Sequence, residues 1–485
     1  MILMVIPLLP LAAVGLSLIP WGRRLAPVAT IAAALAGFVL AVISSAQVLA
    51  RGEVIDIANW VQLDGFAAVL LLLITFVSLT AAVFSWGYID RHEASARRVR
   101  SYYIHFNLFT FSLALVPVLF QPALEWVAVE FTSVFSVLLV AFERTETALE
   151  AAWKYIALMF MGAAIALLGF FILFWAQELA GGGHYSWDGL RAVAPAMSPV
   201  LIMAAFLLIL IGLGVKVGFV PLHTWLPDAH SQAPAPVCAL LSGVKTTNSL
   251  YVILRLVPLL PFAGAALAMQ VIGLASVGVA AFLLLQVRDY KRLFAYSTVE
   301  HMGIIFVAAG FGGGGGEYAA ILQTASHALT KSFCFFAAGA VLLLAGTREI
   351  GAVRGLIRGS PVAGVALLMG ALAIGGAPPF AVFLSEISIL RTGLAHGQYV
   401  GTALLAIFIG VAFCGILLQV SRMVFGEPAQ PAPAAGTSEH SLPVSCVATL
   451  ALAAMPVLVL GLYQPLWLQH LVSIGAANLA PLPGP

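Results

Sequence analysis

LIGLGVKVGFVPLHTWLP, residues 210–227, is an apolar stretch in which glycine and proline interrupt a helical pattern beside a charged residue, Lys216. A second stretch of the same kind, LAIGGAPPFAVFLSEISIL, spans residues 372–390 and carries Glu386. Proline frees backbone carbonyls that need new partners, and non-helical backbone at membrane depth is tolerated only where protein buries it or a water cavity adjoins it. These stretches therefore predict two discontinuous transmembrane helices. Such breaks in corresponding places of two halves indicate an ion site in a transporter built from repeats.

The composition of the 485-residue chain is that of a polytopic membrane protein. Apolar residues make up 62% of it and charged residues 9%, and the mean hydropathy is +1.06. The net charge is +2 and the basic residues are scattered among the predicted loops, so we expect no nucleic-acid partner. The four cysteines are isolated, with no C-x-x-C pair to hold zinc or an iron–sulfur cluster. We expect this chain to hold no cofactor or metal of its own.

Apolar windows of about 20 residues recur along the chain and predict an all-α fold with fourteen transmembrane helices. The first window, MILMVIPLLPLAAVGLSLIP, lacks the basic leader and cleavage site of a signal peptide. Because the two breaks lie five helices apart, we predict two five-helix repeats of inverted topology, helices 4–8 and helices 9–13. The predicted domains are residues 1–101 (helices 1–3), 102–258 (first repeat), 259–425 (second repeat), 426–442 (flexible linker) and 443–485 (helix 14 and tail). The predicted helices cover residues 1–20, 26–49, 65–87, 102–120, 122–142, 152–177, 197–221, 232–257, 264–286, 292–311, 318–346, 361–392, 399–424 and 443–470.

The basic residues predict the orientation of these helices, because Lys and Arg gather in loops that stay cytoplasmic. The odd-numbered loops hold fifteen of them, the even-numbered loops hold four, and three lysines lie within helices. We therefore expect a cytoplasmic (inner) membrane location with both termini on the non-cytoplasmic side. The fifteen are Arg23, Arg24, Arg91, Arg97, Arg98, Arg100, Arg144, Lys154, Arg288, Lys291, Arg292, Arg348, Arg354, Arg358 and Arg422.

The three helix-embedded lysines, Lys216, Lys245 and Lys331, indicate a polar path at membrane depth. A lysine near the bilayer centre costs about 2.5–3.5 kcal/mol on insertion scales, so retained cations suggest a water- or proton-accessible route. The alternative is that each one extends to the membrane surface or packs against a carboxylate. Glu130, well inside helix 5, is the predicted partner of Lys216, because proximity would keep both groups charged and separation would favour their neutral forms.

Further polar side chains extend this candidate relay. His327 and Lys331 lie four residues apart on helix 11, hence on one face, with Gln323 one turn earlier. Thr246, Thr247 and Asn248 follow Lys245 and can hold water. The predicted relay is Glu130, Lys216, Lys245, His327, Lys331 and Glu386. Accessory candidates are Glu125, Lys154, His223, His230, Glu300, His301 and Gln323, of which His223 and His230 are interpreted as ordering the loop between helices 7 and 8.

Several strings in this chain carry a family resemblance. They are KVGFVPLHTWLPDAHSQAPAPVCALL from Lys216, RDYKRLFAYSTVEHMGI from Arg288, HALTKSFCFF from His327 and GAPPFAVFLSE from Gly376, together with LDGFA and WVAVEFTSVF. In this order they resemble the antiporter-like, proton-translocating membrane subunits of respiratory complex I, multi-subunit cation/proton antiporters and group 4 membrane-bound hydrogenases. The segments AFERTETALEAAWKY and STVEHMGI are most similar in sequence to the F-type subunit of hydrogenase-4 complexes.

The resemblance implies a role for individual residues. The family's helix-5 glutamate falls on Glu130, its helix-7 lysine on Lys216, its helix-11 histidine and lysine on His327 and Lys331, and its ionisable helix-12 residue on Glu386. Lys245 matches the helix-8 lysine with a register uncertain by one residue, and Gln323 replaces a second histidine of some relatives.

The resemblance also implies a context for the chain. It implies a proton-pumping subunit of an oxidoreductase, with other antiporter-like, small membrane and peripheral redox subunits as partners, and lipids around it. Fe–S, Ni–Fe or flavin groups are expected only in partner subunits. Three alternatives stay open: a Na⁺/H⁺ antiporter subunit, for which sodium needs a hard oxygen cage, a membrane scaffold, and a subunit of an inorganic-carbon uptake system.

Overall fold

The computed structural model describes residues 2–19, 24–93, 95–427 and 441–480, and this part of the chain is mostly helical. Arg23 and residues 428–440 of the predicted linker lie outside it. The α-helices are α1 Ile2–Leu18, α2 Leu25–Arg51, α3 Gly65–His92, α4 Ala96–Leu115, α5 Pro122–Val140, α6 Glu146–Leu179, α7 Trp187–Val193, α8 Pro199–Val217, α9 Trp225–Gln232, α10 Ala235–Leu240, α11 Thr246–Leu254, α12 Phe262–Leu284, α13 Tyr290–Phe311, α14 Gly315–Ala345, α15 Leu356–Gly359, α16 Pro361–Ile374, α17 Ala381–Ala395, α18 Tyr399–Phe425, α19 Val444–Leu462 and α20 Leu466–Leu479. A π-helical turn, Leu241–Lys245, joins α10 to α11, and short 3₁₀ turns occupy Val116–Val118, Ala194–Ala196, Val257–Leu259 and Ile350–Ala352.

Eleven helical segments of the described residues are long and apolar enough to cross a membrane, so this is a multi-pass membrane protein. α1 and α16 are apolar but shorter. The predicted total of fourteen spans therefore stays a prediction. In particular, α4 begins at Ala96, six residues before the predicted start of helix 4, and its first turns carry three arginines.

Both predicted breaks are present. α8 ends at Val217, and Gly218 follows with φ +89°, a left-handed conformation that glycine adopts without steric cost. α9 then begins at Trp225. In the second stretch α16 ends at Ile374, Gly376 has φ +76°, and α17 begins at Ala381. The prediction of discontinuous helices 7 and 12 is confirmed.

The segment after the first break corrects one interpretation. Residues 225–232 form a helix, α9, whereas the sequence suggested a loop ordered by His223 and His230. Trp225, Leu226, Ala229 and His230 recur at helical spacing and are buried, so the segment has an apolar face to pack. Pro227 lies in the first turn, where the missing N–H leaves no helical hydrogen bond unmade. α9 is the second half of the broken helix.

Two further elements differ from the prediction. The segment predicted as a single helix over residues 443–470 is two helices, α19 and α20, because Pro465 cannot continue α19 and instead precedes the first turn of α20. The break between α19 and α20 packs against the break between α16 and α17, since a Cβ on Gly461 would collide with the backbone of Pro379 and Phe380. The loop between α2 and α3 holds an antiparallel hairpin of two strands, β1 Val54–Ile57 and β2 Val61–Leu63.

Loop contacts group the helix ends into two sets. At one end, which we call the hairpin end, Phe120 N–H donates to Trp60 O (2.9 Å), Trp187 N–H donates to Phe120 O (3.3 Å), and Arg255 pairs with Asp64. Both terminal helices reach this end, because Leu3 N–H donates to Asp56 (2.7 Å) and Gly65 N–H to Asn478 (3.2 Å). Predicted loops 2, 4, 6 and 8 therefore share one end of the molecule.

Predicted loops 7, 9 and 11 meet at the opposite end. Ser231, at the end of α9, donates its hydroxyl to Asp289 (2.6 Å) and accepts at its carbonyl from Lys291 Nζ (3.0 Å) and Arg348 Nη1 (2.5 Å). Asp228 on α9 pairs with Arg292 on α13 (2.7 Å). The two breaks, and with them Lys216 and Glu386, lie between these ends.

Glycines allow the closest helix packing in each half. Gly162 on α6 faces Gly212 on α8, and Gly273 on α12 faces Gly303 on α13, so closely that a Cβ at any of the four would collide with the backbone opposite. Small residues are the usual means by which membrane helices approach closely. The first of these contacts holds α8, which ends one residue after Lys216, against α6.

Candidate functional site

The first pair of the site joins α5 to the end of α8. Lys216 Nζ lies 3.1 Å from Glu130 Oε2 and donates to Ser133 Oγ at 2.9 Å. The lysine is fully buried, while the Glu130 side chain is 13% exposed and its Oε1 has no partner. The predicted pairing is present. Because Lys216 stands two residues before the left-handed Gly218, the ion pair lies directly beside the helix break.

Lys245 is held by aromatic rings instead of a carboxylate. Its Nζ lies 4.5 Å from the ring centroid of Trp225 and 5.1 Å from that of Tyr155, and 3.4 Å from Met159 Sδ. It makes no ion pair with any described residue. A ring face attracts a cation by about 0.5–2 kcal/mol, more where water is excluded. The aromatic cage thus accepts a charged Lys245 without fixing it to an anion, and the lysine is fully buried.

Hydroxyl groups fill the space between Lys216 and Lys245. Ser133, which accepts from Lys216, also presents its carbonyl to Ser136 Oγ at 3.2 Å. Ser136 Oγ lies 2.6 Å from Tyr155 Oη, and the ring of that tyrosine contacts Lys245. Trp225 adds a second link, since its indole N–H donates to Val215 O at 2.7 Å, next to Lys216 in the chain.

The polar groups around Lys216 and Lys245 form the first part of a row of buried side chains. This row continues from the π-helical turn Leu241–Lys245 to α14. His327 Nε2 donates to Ser242 O at 3.3 Å, and Ser242 Oγ lies 2.6 Å from Thr298 Oγ1. His327 Nδ1 has no partner. Lys331 Nζ donates to Phe294 O at 2.7 Å and to Ser297 Oγ, and it meets no carboxylate in the described structure. His327 and Lys331 share a face of α14, as predicted.

The last part of the row reaches the second helix break. The His301 ring lies 5.3 Å from the His327 ring, and His301 Nε2 donates to Ile374 O (2.9 Å), the last residue of α16. Gln323 connects His301 on α13 with Ser385 on α17. Its amide N–H donates to His301 Nδ1 at 2.9 Å, and its amide oxygen accepts from Ser385 Oγ. Glu386 follows Ser385.

Two buried carboxyls border this part of the row. Glu386 is 5% exposed and packs against Gly376, in the break itself. Glu300 on α13 is also buried, with Oε2 unpartnered, and it lies near enough to Lys331 to interact with it electrostatically, although the described structure has no ion pair between them. His301, Gln323 and Glu300, all accessory candidates, are therefore part of the site.

Four accessory candidates lie apart from the row. Lys154 is exposed and pairs with Glu150 (2.6 Å) and Asp228 (3.5 Å) at the opposite end. His223 is half-buried in the first break, with Nδ1 unpartnered. His230 donates from Nδ1 to Leu226 O (2.8 Å) within α9 and stacks near Phe335. Glu125 lies at the hairpin end, where Trp187 Nε1 donates to it at 2.9 Å.

Some residues of the site were not predicted. Trp225, Tyr155, Ser133, Ser136 and Ser385 gave no signal of their own, because single aromatic and hydroxyl residues are common in an apolar chain. Lys291 was assigned to a loop, but it is 1% exposed and donates to Ser231 O and Ala233 O at the end of α9. Its position one residue inside α13 is the feature that was missed.

The geometry as a whole is a buried row of exchangeable groups between two helix breaks. Amines, imidazoles, carboxyls and hydroxyls alternate along it, and each can hold or release a proton without a metal or a cofactor taking part. In residues 2–19, 24–93, 95–427 and 441–480 no group of three or more His, Cys, Asp or Glu side chains is placed to hold a metal ion.

Comparison with known proteins identifies the architecture. The family model described as "NADH:quinone oxidoreductase/Mrp antiporter, TM" matches residues 123–412. The chain belongs to this antiporter family. A second model, "NADH-Ubiquinone oxidoreductase (complex I), chain 5 N-terminus", matches residues 54–98, which span the hairpin and α3.

Individual members of the antiporter family resemble the chain over most of its length. The "Hydrogenase-4 component F homolog" of Methylacidiphilum infernorum is 39% identical over 75% of this chain and 79% of its own. The membrane-bound sulfane sulfur reductase, an archaeal respiratory membrane complex, contains a chain with TM-score 0.87 and 25% identity, covering 99% of this chain and 98% of that one. The Mrp complex of Dietzia sp. DQ12-45-1b contains one with TM-score 0.88 and 21% identity, covering 99% and 97%, which shows a shared fold. The protein is an antiporter-like membrane subunit, homologous to hydrogenase-4 and complex I subunits.

Proposed function

We propose that this chain translocates protons as one subunit of a multi-subunit membrane redox complex, of the group 4 [NiFe]-hydrogenase or complex-I-like type. The observation that carries the proposal is the buried row from Glu130 and Lys216 to Glu386. Its members lie at mid-depth beside two helix breaks, where non-helical backbone adjoins water or protein. The similarity to a hydrogenase-4 component F homolog supports this type of complex.

The Glu130–Lys216 pair acts as the switch of the mechanism. When the pair is formed, the carboxylate stabilises the ammonium of Lys216. When the carboxylate moves away, the buried ammonium loses its counter-charge and gives its proton to the next group of the row. Lys245 accepts positive charge within its aromatic cage, and the row passes it on through His327 or Lys331 toward Glu386. Conformational changes in neighbouring subunits drive the opening of the pair.

The arrangement of the chain in the membrane follows the charge distribution. Residues 102–258 and 259–425 are two inverted repeats, each with one broken helix, and residues 426–442 link them to α19 and α20. The opposite end, which carries Arg288, Arg292 and Arg348, faces the cytoplasm. The hairpin end and both termini face away from it. The partners are other antiporter-like and small membrane subunits and a peripheral redox arm, which holds the Fe–S, Ni–Fe or flavin groups.

The test is Lys216→Ala in the intact complex reconstituted into liposomes, with proton uptake followed by a pH-sensitive dye. We expect proton translocation to be lost while the complex still assembles. Lys154→Ala is the matched control, because Lys154 is an exposed lysine paired with a glutamate, and it should transport as the unmodified complex does. Wild-type pumping by the Lys216 variant would refute the proposal. Replacing sodium by choline in the same assay separates proton transport from Na⁺/H⁺ exchange.

A further inference from the structure

A second cluster of buried charges lies at the hairpin end, away from the row. Arg255, at the end of α11, pairs with Asp64 and donates from Nε to Tyr251 Oη at 2.9 Å. Glu125, in the first turn of α5, is close enough to both to interact with them electrostatically, and so is the half-buried Arg191 of α7. Asp64 and Arg255 are fixed by their ion pair. Glu125 is the carboxyl of this cluster that has no direct ion pair in the described structure.

Glu125 is only half satisfied by hydrogen bonds. Its Oε1 accepts from Trp187 Nε1, but its Oε2 is buried without a partner, and the residue is 0% exposed. An unpaired buried oxygen is costly unless it is protonated or bound to water. The structure therefore leaves one oxygen of this carboxyl available to a proton or a water molecule.

Two more unpaired polar atoms lie on α11 between Lys245 and Arg255. They are Asn248 Oδ1 and Ser249 Oγ, and both residues are fully buried. Asn248 is three residues after Lys245 and seven before Arg255, so the three side chains share one face of the helix. Buried polar atoms without protein partners are the places where internal water binds. The unpaired atoms thus mark a line from the aromatic cage to the cluster at the hairpin end.

We propose that this line is a hydrated proton path within the first half of the chain, and that Glu125 is its terminal proton-carrying group at the hairpin end. Water bound at Asn248 and Ser249 connects Lys245 to the Glu125 carboxyl. The carboxyl takes a proton from that water on one side and releases it beside Trp187 on the other. This inference rests on the proposed function and assigns the port by which protons pass between the row and the non-cytoplasmic side.

The second half offers a natural comparison. Glu317, in the first turn of α14, is 1% exposed and both of its oxygens are unpartnered. It also lies at the hairpin end, since Ile321, four residues later on α14, and Phe66, two residues after Asp64, both pack against Gly475. However, the residues between it and Gln323 are Tyr318, Ala319, Ala320, Ile321 and Leu322, and none of them has a buried polar side-chain atom without a partner, so no line of unpaired atoms leads inward. Glu317 is therefore a buried glutamate that no line of unpaired polar atoms connects to the row.

The experiment compares Glu125→Gln with Glu317→Gln in the complex reconstituted into liposomes, with the pH changed on one side at a time. We expect Glu125→Gln to lower proton translocation about a hundredfold, the lower range for a positioned proton-transfer group, and to remove its response to pH on the non-cytoplasmic side. Glu125→Asp should restore part of the rate. Glu317→Gln should transport normally.

The outcomes separate this inference from the proposed function. If Lys216→Ala stops transport while Glu125→Gln transports at the normal rate, the path through Glu125 is wrong and the proposed function stands. If Glu317→Gln alone is defective, the port lies in the second half. If Glu125→Gln is slow but keeps its pH response on that side, Glu125 is structural. Native gel electrophoresis of each variant shows whether the complex has assembled.

Discussion

Trp225 and Lys245 form a cation–π contact in which the indole ring centroid lies 4.5 Å from the lysine Nζ. The same indole donates its N–H to Val215 O, beside Lys216. The side chain of Trp225 therefore contacts Lys245 directly and also contacts the backbone next to Lys216. It stands on α9, the half-helix beyond the break, so any movement of α9 changes the environment of Lys245.

Substitution of Trp225 should separate these two contacts. Trp225→Phe keeps an aromatic face for Lys245 but loses the hydrogen bond to Val215, whereas Trp225→Leu loses both. Because a ring contributes about 0.5–2 kcal/mol to a nearby cation, we expect translocation to fall moderately in the Phe variant and severely in the Leu variant. Initial rates of dye response in liposomes measure this. Equal rates for the two variants would mean that the ring face does not matter.

Gln323 should be needed for the link between His301 and Ser385. Gln323→Leu leaves both groups without their buried partner, at about 1–3 kcal/mol for each unsatisfied group, and we expect slow translocation. Gln323→His offers ring nitrogens that can donate and accept, so part of the rate should return.

The control for this prediction is Gln419→Leu. Gln419 is 7% exposed and donates to Leu285 O at 3.1 Å, outside the row. Its substitution should change stability slightly and translocation little. A Gln419 variant as slow as the Gln323 variant would show that the effect is general loss of a buried amide.

The Asp64–Arg255 pair should stabilise the fold. Asp64→Asn keeps an acceptor for the N–H of Ala67 (3.0 Å), which caps α3, but leaves the Arg255 cation without its counter-charge. Removing one partner of a buried ion pair costs about 3–5 kcal/mol. We expect a clearly lower melting temperature of the detergent-solubilised complex. Glu150→Gln, which breaks the exposed pair with Lys154, should leave the melting temperature unchanged.

The glycine contact between α6 and α8 should tolerate no side chain. A Cβ on Gly162 would collide with Gly212 O and Val215, so Gly162→Ala forces α8 away from α6, at about 1–3 kcal/mol for overpacking. We expect reduced assembly, measured by the yield of intact complex. Gly410→Ala is the matched control, because no atom lies within 4 Å of a Cβ built there. Normal yield for the Gly162 variant would contradict the prediction.

Much of the fold followed from the sequence because lipid imposes simple rules. Long apolar windows predicted the helices, and Gly with Pro beside a charge predicted the breaks at Gly218 and Gly376. The pairing of Glu130 with Lys216 also followed, since two opposite charges at membrane depth each need a partner. The break after α19 was missed, because Pro465 lies in a window that is apolar enough to be one helix.

The surroundings of the charges did not follow from the sequence. Tyr155 is 90 residues from Lys245 along the chain, and nothing in a 10% aromatic composition distinguishes it from rings that face the membrane. The same holds for Ser133 and Ser385, which are ordinary helix residues until their neighbours are known. Long-range packing decides which of these side chains meet, and periodicity carries no information about it.

The contacts of Ser231 with Lys291 and Arg348 have a mechanical consequence. These two cations belong to the second half of the chain, yet they hold the end of α9, a half-helix of the first half. Ser231 is six residues from Trp225, about 9 Å along a helix. The helix α9 thus forms a short, rigid connection between the start of α13 and the indole ring of Trp225, which contacts Lys245. A small displacement of α13 would alter the contact of that ring with Lys245, without any ligand or proton passing between the two halves.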